Sequence, residues 1–195
     1  MNYTKEIQDY IALEIEVLKR LDATQIEAAL NLLDETRREK GRIYICGNGG
    51  SAATASHFQN DFNKGISEYI DLPFRFHCLN DNIATIMAIA NDIGYDEVFR
   101  FQLRGVMEPR DILVAISGSG NSRNVLNAVE YAKERGNQVI GITGYDGGKL
   151  RKLSDVSLHA PVDSMQVTED IHLIFDHMMM SIFYRHLCGK DHLKG

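Results

Sequence analysis

A chain of 195 residues, 44% apolar and 25% charged, fits one globular domain, long enough to bury roughly 70% of its unfolded surface without disulfide staples. A formal charge of −6 argues against a nucleic-acid-binding surface, and no apolar run reaches membrane-spanning length, so neither nucleic acid nor membrane is an expected partner. Three widely spaced cysteines, Cys46, Cys78 and Cys188, with no signal-peptide pattern over residues 1–5, read as reduced thiols of a cytoplasmic protein.

In chain order, residues 3–20 set Ile7, Tyr10, Ile11, Leu13, Ile15 and Leu18 among acids and lysines, which predicts a helix with one broad apolar face. A second helix follows, with Thr24 as its expected cap, Ile26, Ala29, Leu30, Leu32 and Leu33 on its buried face, and Gly41 beyond its end. Two helices ahead of the first strand have no sheet of their own. They are expected to pack on the main body and, in part, on another subunit.

Residues 42–46 read as a short strand and Gly47-Asn48-Gly49-Gly50-Ser51 as a loop feeding a helix that carries His57. Residues 63–71 read as an irregular surface connection near a site, 74–79 as a strand, and 82–90 and 96–103 as short helices. The run 112–116 is apolar without interruption, the kind of strand buried on both faces of a parallel sheet. It breaks into Ser117-Gly118-Ser119-Gly120-Asn121-Ser122, after which Val125, Leu126, Ala128, Val129 and Ala132 return at helical spacing. A strand at 138–143, a glycine loop at 144–148, a one-turn helix at 149–153, a strand at 156–159 and a final helix over about 167–187 complete the chain. Strands alternating with helices predict a three-layer α/β/α sandwich with a mostly parallel sheet, as one domain over 1–195.

Strand, hydroxyl-rich glycine loop, helix is the order that builds an anion site. The glycines let the backbone turn closely, the serines offer hydroxyl donors, and the helix start presents unpaired N–H groups at its positive end. The loop lacks the Lys-Ser/Thr ending of a nucleotide P-loop and the glycine spacing of a dinucleotide fingerprint, which disfavours nucleotides. By itself it also fits a solvated, well-capped turn. The second loop of the same form, at residues 47–51, favours a phosphate site.

Through these two loops, together with residues 90–94, 143–148 and the last helix, the chain resembles the sugar isomerase (SIS) family, nearest to its phosphoheptose isomerase group. The resemblance implies the SIS fold, a homotetramer with sites at subunit interfaces, and a sugar phosphate as substrate. It implies that Ser117, Gly118, Ser119 and Ser122 hold the phosphate and that Asn48, Gly49, Gly50, Ser51, Asn91 and Asp92 line the sugar. It puts the metal positions on His57, Asp61, Glu169 and His177, with zinc as the expected ion and Glu169 also facing substrate. Here the chain departs from the family pattern, which has Glu at position 61 and Gln at position 169.

Moving a carbonyl between neighbouring sugar carbons goes through an enediol, so a base must take a proton from carbon while an acid serves the oxygen. Asp61 is assigned as the base and His177 as its acid partner. His57 and Asp61 are one helical turn apart and share a face; by spacing alone they read as a surface pair, and beside the two loops as ligands suited to zinc. Asp61 is about one methylene shorter than Glu, and Glu169 adds negative charge where the family has a neutral side chain. Glu169 and His177 are separated by a rise of roughly 12 Å if one helix carries both. Either that helix starts later than expected or the two serve one ion from different subunits. His77, His159 and His172 are taken as structural, Lys64 as solvated, and Met165 and Met178 to Met180 as core or subunit contacts. The competing class is a non-catalytic SIS protein, a phosphosugar sensor or a partner of the replication initiator; an isomerase of another phosphosugar is a further alternative. Retention of both His57 and His177 favours the enzyme.

Overall fold

The computed structural model describes residues 2–189. Five short apolar segments, β1 (Ile43–Cys46), β2 (Phe76–Cys78), β3 (Ile112–Ser117), β4 (Val139–Thr143) and β5 (Val156–His159), pair in parallel in the order β2-β1-β3-β4-β5. The chain winds outward from β1 to β2, then returns past β1 to lay down β3. That reversal leaves a crevice at the carboxyl ends of β1 and β3, the usual place for a ligand in an open parallel sheet.

β3 is buried along its whole length, as a central parallel strand requires. Its Ile112, Val114 and Ile116 join one core with α1 (Thr4–Lys19), α2 (Ala23–Arg38), α3 (Gly50–Asn60) and α8 (Met165–Cys188). Its Leu113 and Ala115 join the opposite core with α4 (Ile83–Asp92), α5 (Arg100–Leu103), α6 (Arg123–Glu134) and α7 (Gly148–Leu153). This is the expected α/β/α sandwich. Among the described residues no helix is long and apolar enough to cross a membrane.

Several local expectations give way to packing. The cap of α2 is Asp22 rather than Thr24: its carboxylate accepts from the amides of Thr24 and Gln25 at 2.9 and 3.3 Å, satisfying donors that a cap two residues later would leave open. Residues 63–71 are not an irregular loop. α3 runs on into a π-helical turn at Asp61–Ile66 and a 3₁₀ turn at Ser67–Tyr69, because Phe62 and Ile66 are drawn into the core, Phe62 among Phe58, Phe74, Phe76 and Phe183. Edge strand β2 shrinks to Phe76–Cys78, and residues 96–103 split into a 3₁₀ turn at Tyr95–Glu97 and the single-turn α5. The last helix starts earlier than expected, at Met165, so Glu169 and His177 lie on one continuous helix of 24 residues. Of α1, only Val17 is buried; Ile7 and Ile11 remain 57% and 53% exposed.

Candidate functional site

The loops that leave β1 and β3 open side by side into the crevice. Asn48 in the first and Asn124 in the first turn of α6 exchange side-chain hydrogen bonds: Asn48 Nδ2 donates to Asn124 Oδ1 at 2.8 Å and Asn124 Nδ2 to Asn48 Oδ1 at 2.9 Å. The Tyr95 hydroxyl also donates to Asn48 Oδ1, at 2.8 Å. Behind them the Asn80 side chain holds the first loop through Gly47 N and Gly47 O. Asn124 and Tyr95 were not among the residues singled out by sequence. Asn124 lies two residues beyond the serine loop, which was the one available signal.

In the second loop, Ser117 Oγ donates to Ser122 Oγ at 3.0 Å. Ser122 is the N-cap residue of α6 but its side chain makes no capping bond; the Val125 amide is taken by Asn124 Oδ1, and the amides of Arg123 and Asn124 at the start of the helix are left for an anion entering the crevice. Gly120 has φ of +65°, and a Cβ there would lie 2.0 Å from the carbonyl oxygen of Gly147. That close approach locks the loop onto residues 144–150, where Gly144 N donates to Gly118 O and Leu150 N to Gly120 O at 2.8 and 2.9 Å. A cavity of about 630 Å³ lies beside it, lined by Ser119, Asn121, Tyr145, Asp146, Asp163 and Met165.

The first loop ends at Gly49, the N-cap residue of α3, also without a side-chain cap. Here the Glu169 carboxylate, reaching over from α8, sits against Gly50: a Cβ on Gly50 would lie 2.3 Å from Glu169 Oε1. A negative group at a helix start is favourable. Ser51 is buried in the same turn. Asn91 and Asp92 are exposed at the end of α4, bonded to each other at 2.8 Å, just ahead of Tyr95.

α3 and α8 run side by side in the same sense, so that Glu169 meets Gly50 and, further along, His177 meets His57. The two imidazoles approach with 3.1 Å between their Nε2 atoms. Asp61 joins them, its Oδ2 3.4 Å from His57 Nε2 and 3.8 Å from His177 Nε2. The fourth member is Asp176, which the sequence reading passed over; its Oδ2 is 3.9 Å from His57 Nε2. The signal was there, because His172, Phe175, Asp176 and Met179 share one buried face of α8, and an acid on such a face needs a reason. Burial, and then the neighbouring Asp61, push the Asp176 carboxyl up to about 8. Neither of its oxygens has a hydrogen-bond partner.

Donor atoms of His57, Asp61, Asp176 and His177 all lie within 4.8 Å of one another. Two imidazoles and two carboxylates, one of them the buried and unsatisfied Asp176, form a donor set that fits a divalent cation such as zinc. Glu169 is not in this group: one continuous helix carries it away from His177, and its carboxylate lies against Gly50 at the start of α3.

A SIS-domain family profile matches residues 3–144. The chain is 35% identical over 193 residues to a phosphoheptose isomerase of Helicobacter pylori, a match covering 94% of this chain and 96% of that one. The chain belongs to the SIS family, in its phosphoheptose isomerase group. A phosphoheptose isomerase of Aliarcobacter butzleri is 36% identical over 179 residues, covering 90% of this chain and 94% of that one. The solved phosphoheptose isomerase of Neisseria gonorrhoeae superposes on this SIS chain with a TM-score of 0.85 at 31% identity, over 93% of this chain and 98% of the other. Helix α8, which lies beyond the profile match, supplies Glu169, Asp176 and His177.

Proposed function

We propose that this SIS protein is an aldose-ketose isomerase that converts sedoheptulose 7-phosphate to D-glycero-D-manno-heptose 7-phosphate in the cytoplasm, as a single SIS domain. The observation that carries the reading is the convergence of His57, Asp61 and His177 beside the two latched loops: a pure phosphosugar sensor has no use for a paired carboxylate and imidazole. The serine loop and the start of α6 hold the phosphate, through Ser117, Gly118, Ser119 and Ser122. Asn48, Gly49, Gly50 and Ser51, with Asn91 and Asp92 at the rim, take the sugar hydroxyls. Glu169, at the start of α3, faces the same end of the crevice.

Within this reading Asp61 removes the proton from the carbon next to the carbonyl. His177, half-exposed, serves the neighbouring oxygen; its Nε2 is 3.8 Å from Asp61 Oδ2, close enough for both to act on adjacent atoms of one substrate. A divalent ion, zinc by preference, would be held by His57, Asp61 and His177 and would supply Lewis-acid polarisation of the substrate carbonyl, taking over at that oxygen the role of the His177 Nε2 proton, which a metal-bound nitrogen does not carry.

The assembly we infer is a homotetramer. Exposed apolar side chains form two patches backed by opposite cores, Ile7, Ile11 and Ile15 on α1 and Ile83 and Met87 on α4. Two separate exposed apolar patches support two kinds of interface, which a dimer does not use and a tetramer does.

Purified protein incubated with sedoheptulose 7-phosphate, with and without a chelator, tests the reaction. Turnover that stops on chelation is the expected result. No turnover of any heptose, hexose or pentose phosphate, with metal supplied, rejects it in favour of a binding role.

A further inference from the structure

We propose that Asp176 is a direct metal ligand, so that one chain holds its divalent cation through His57, Asp61, Asp176 and His177, leaving Glu169 outside the ligand set. The proposal deepens the metal-dependent reading above and rests on it. Its side chain is 0% exposed, and both oxygens lack a hydrogen-bond partner. A buried carboxylate in that condition costs several kcal/mol of desolvation unless a cation or a proton compensates it. His172, on the same helix face and also buried, lies a turn away, and no lysine or arginine pairs with Asp176 among the described residues.

Distances agree. Metal bonds of about 2.0–2.2 Å to His nitrogen and carboxylate oxygen set ligand atoms roughly 3.3–3.6 Å apart along the edges of a tetrahedron. The four recorded separations among these donors are 3.1, 3.4, 3.8 and 3.9 Å, a spread around that value. The alternative fourth ligand is two turns back on the same helix. Glu169 cannot come to the ion without leaving Gly50, whose missing Cβ makes the room it fills.

With Asp61 and Asp176 both ionised on it, the cation's two charges are balanced within the protein. A neutral fourth ligand would leave one positive charge uncompensated. The set of two imidazoles and two carboxylates suits zinc, cobalt or manganese and not a thiolate-seeking ion.

The test uses metal without substrate. Chelator-stripped wild type, Asp176→Asn, Asp176→Ala and Glu169→Gln are titrated with Zn²⁺ and with Co²⁺ against a chromophoric competitor, and thermal unfolding is followed with and without Zn²⁺. Wild type should take one equivalent. Both Asp176 variants should lose affinity by more than about tenfold, the least that even an outer-shell change costs, and should alter the visible Co²⁺ spectrum. Glu169→Gln should change neither. Stripped Asp176→Asn should unfold at a higher temperature than stripped wild type, because an uncompensated buried acid is gone, and gain little from zinc. Wild-type affinity and an unchanged Co²⁺ spectrum in both Asp176 variants overturn the proposal, as does a Glu169→Gln loss equal to theirs or a wild type that binds neither ion. A protein that binds zinc through Asp176 yet turns over no phosphosugar sinks the isomerase reading alone.

Discussion

Asn48 and Asn124, 76 residues apart in sequence, donate to each other's side-chain oxygens at 2.8 and 2.9 Å and thereby latch the two glycine loops into one crevice. Asn124 is buried, and its Oδ1 also accepts from the amide of Val125 at 2.9 Å. Replacing it by Ala takes the acceptor away from Asn48 Nδ2 and from that amide, while Asn48 Oδ1 keeps Tyr95, at a stability cost of about 1–3 kcal/mol. The larger effect is on the relative placement of the loops, where a shift of about 1 Å costs on the order of a hundredfold in rate. Steady-state kinetics beside thermal unfolding of Asn124→Ala should show kcat/KM falling far more than stability accounts for.

Gly50→Ala separates backbone need from side-chain need. The atoms nearest the added Cβ are the far end of Glu169, which can swing away, so unfolding stability should change by less than about 1 kcal/mol. Activity should fall because Glu169 is displaced. In a double-mutant cycle, Gly50→Ala in a Glu169→Ala background should then cost almost nothing further in kcat/KM; equal losses in both backgrounds would place the fault in the loop.

His172 makes stability depend on pH. Burial pushes its imidazole down to about 4, from an unfolded value near 6.5, so below 6.5 the unfolded chain takes up a proton that the folded protein refuses. The His172 share of stability is therefore full above about pH 6.5 and falls as the pH drops toward 4, a loss of about 3 kcal/mol once below both values. The raised Asp176 carboxyl acts with the opposite sign, which is why the comparison is with a His172 variant. His159, half-buried between Arg20 and Arg151, leans the same way with solvent screening its share. Urea unfolding of wild type and His172→Leu between pH 4.5 and 7.5 should give a flatter profile for the variant.

The α1 face predicts the assembly. An Ile7→Glu, Ile11→Glu double variant places two charges in an exposed apolar stripe and touches no core residue. Light scattering should report a smaller oligomer than wild type at equal concentration, while the monomer's thermal transition persists. A variant that keeps the wild-type mass would remove α1 from the interface.

What the chain determined alone was what short-range pattern can carry. The unbroken apolar run 112–116 had to be a doubly buried strand, and the glycine-serine loops had to turn between strand and helix. His57 and Asp61 had to share a helix face, because helical pitch fixes neighbours at that spacing. Pitch also separated Glu169 from His177 correctly, but could not say what each would touch. That was decided by the height at which α8 docks beside α3, which sets Glu169 against Gly50 and brings His177 to His57 across 120 residues. The same docking turned Asp176 inward to the cluster, and the winding of the sheet brought Asn124 to Asn48. Periodicity ranks the faces of an element; only packing assigns each face its partner.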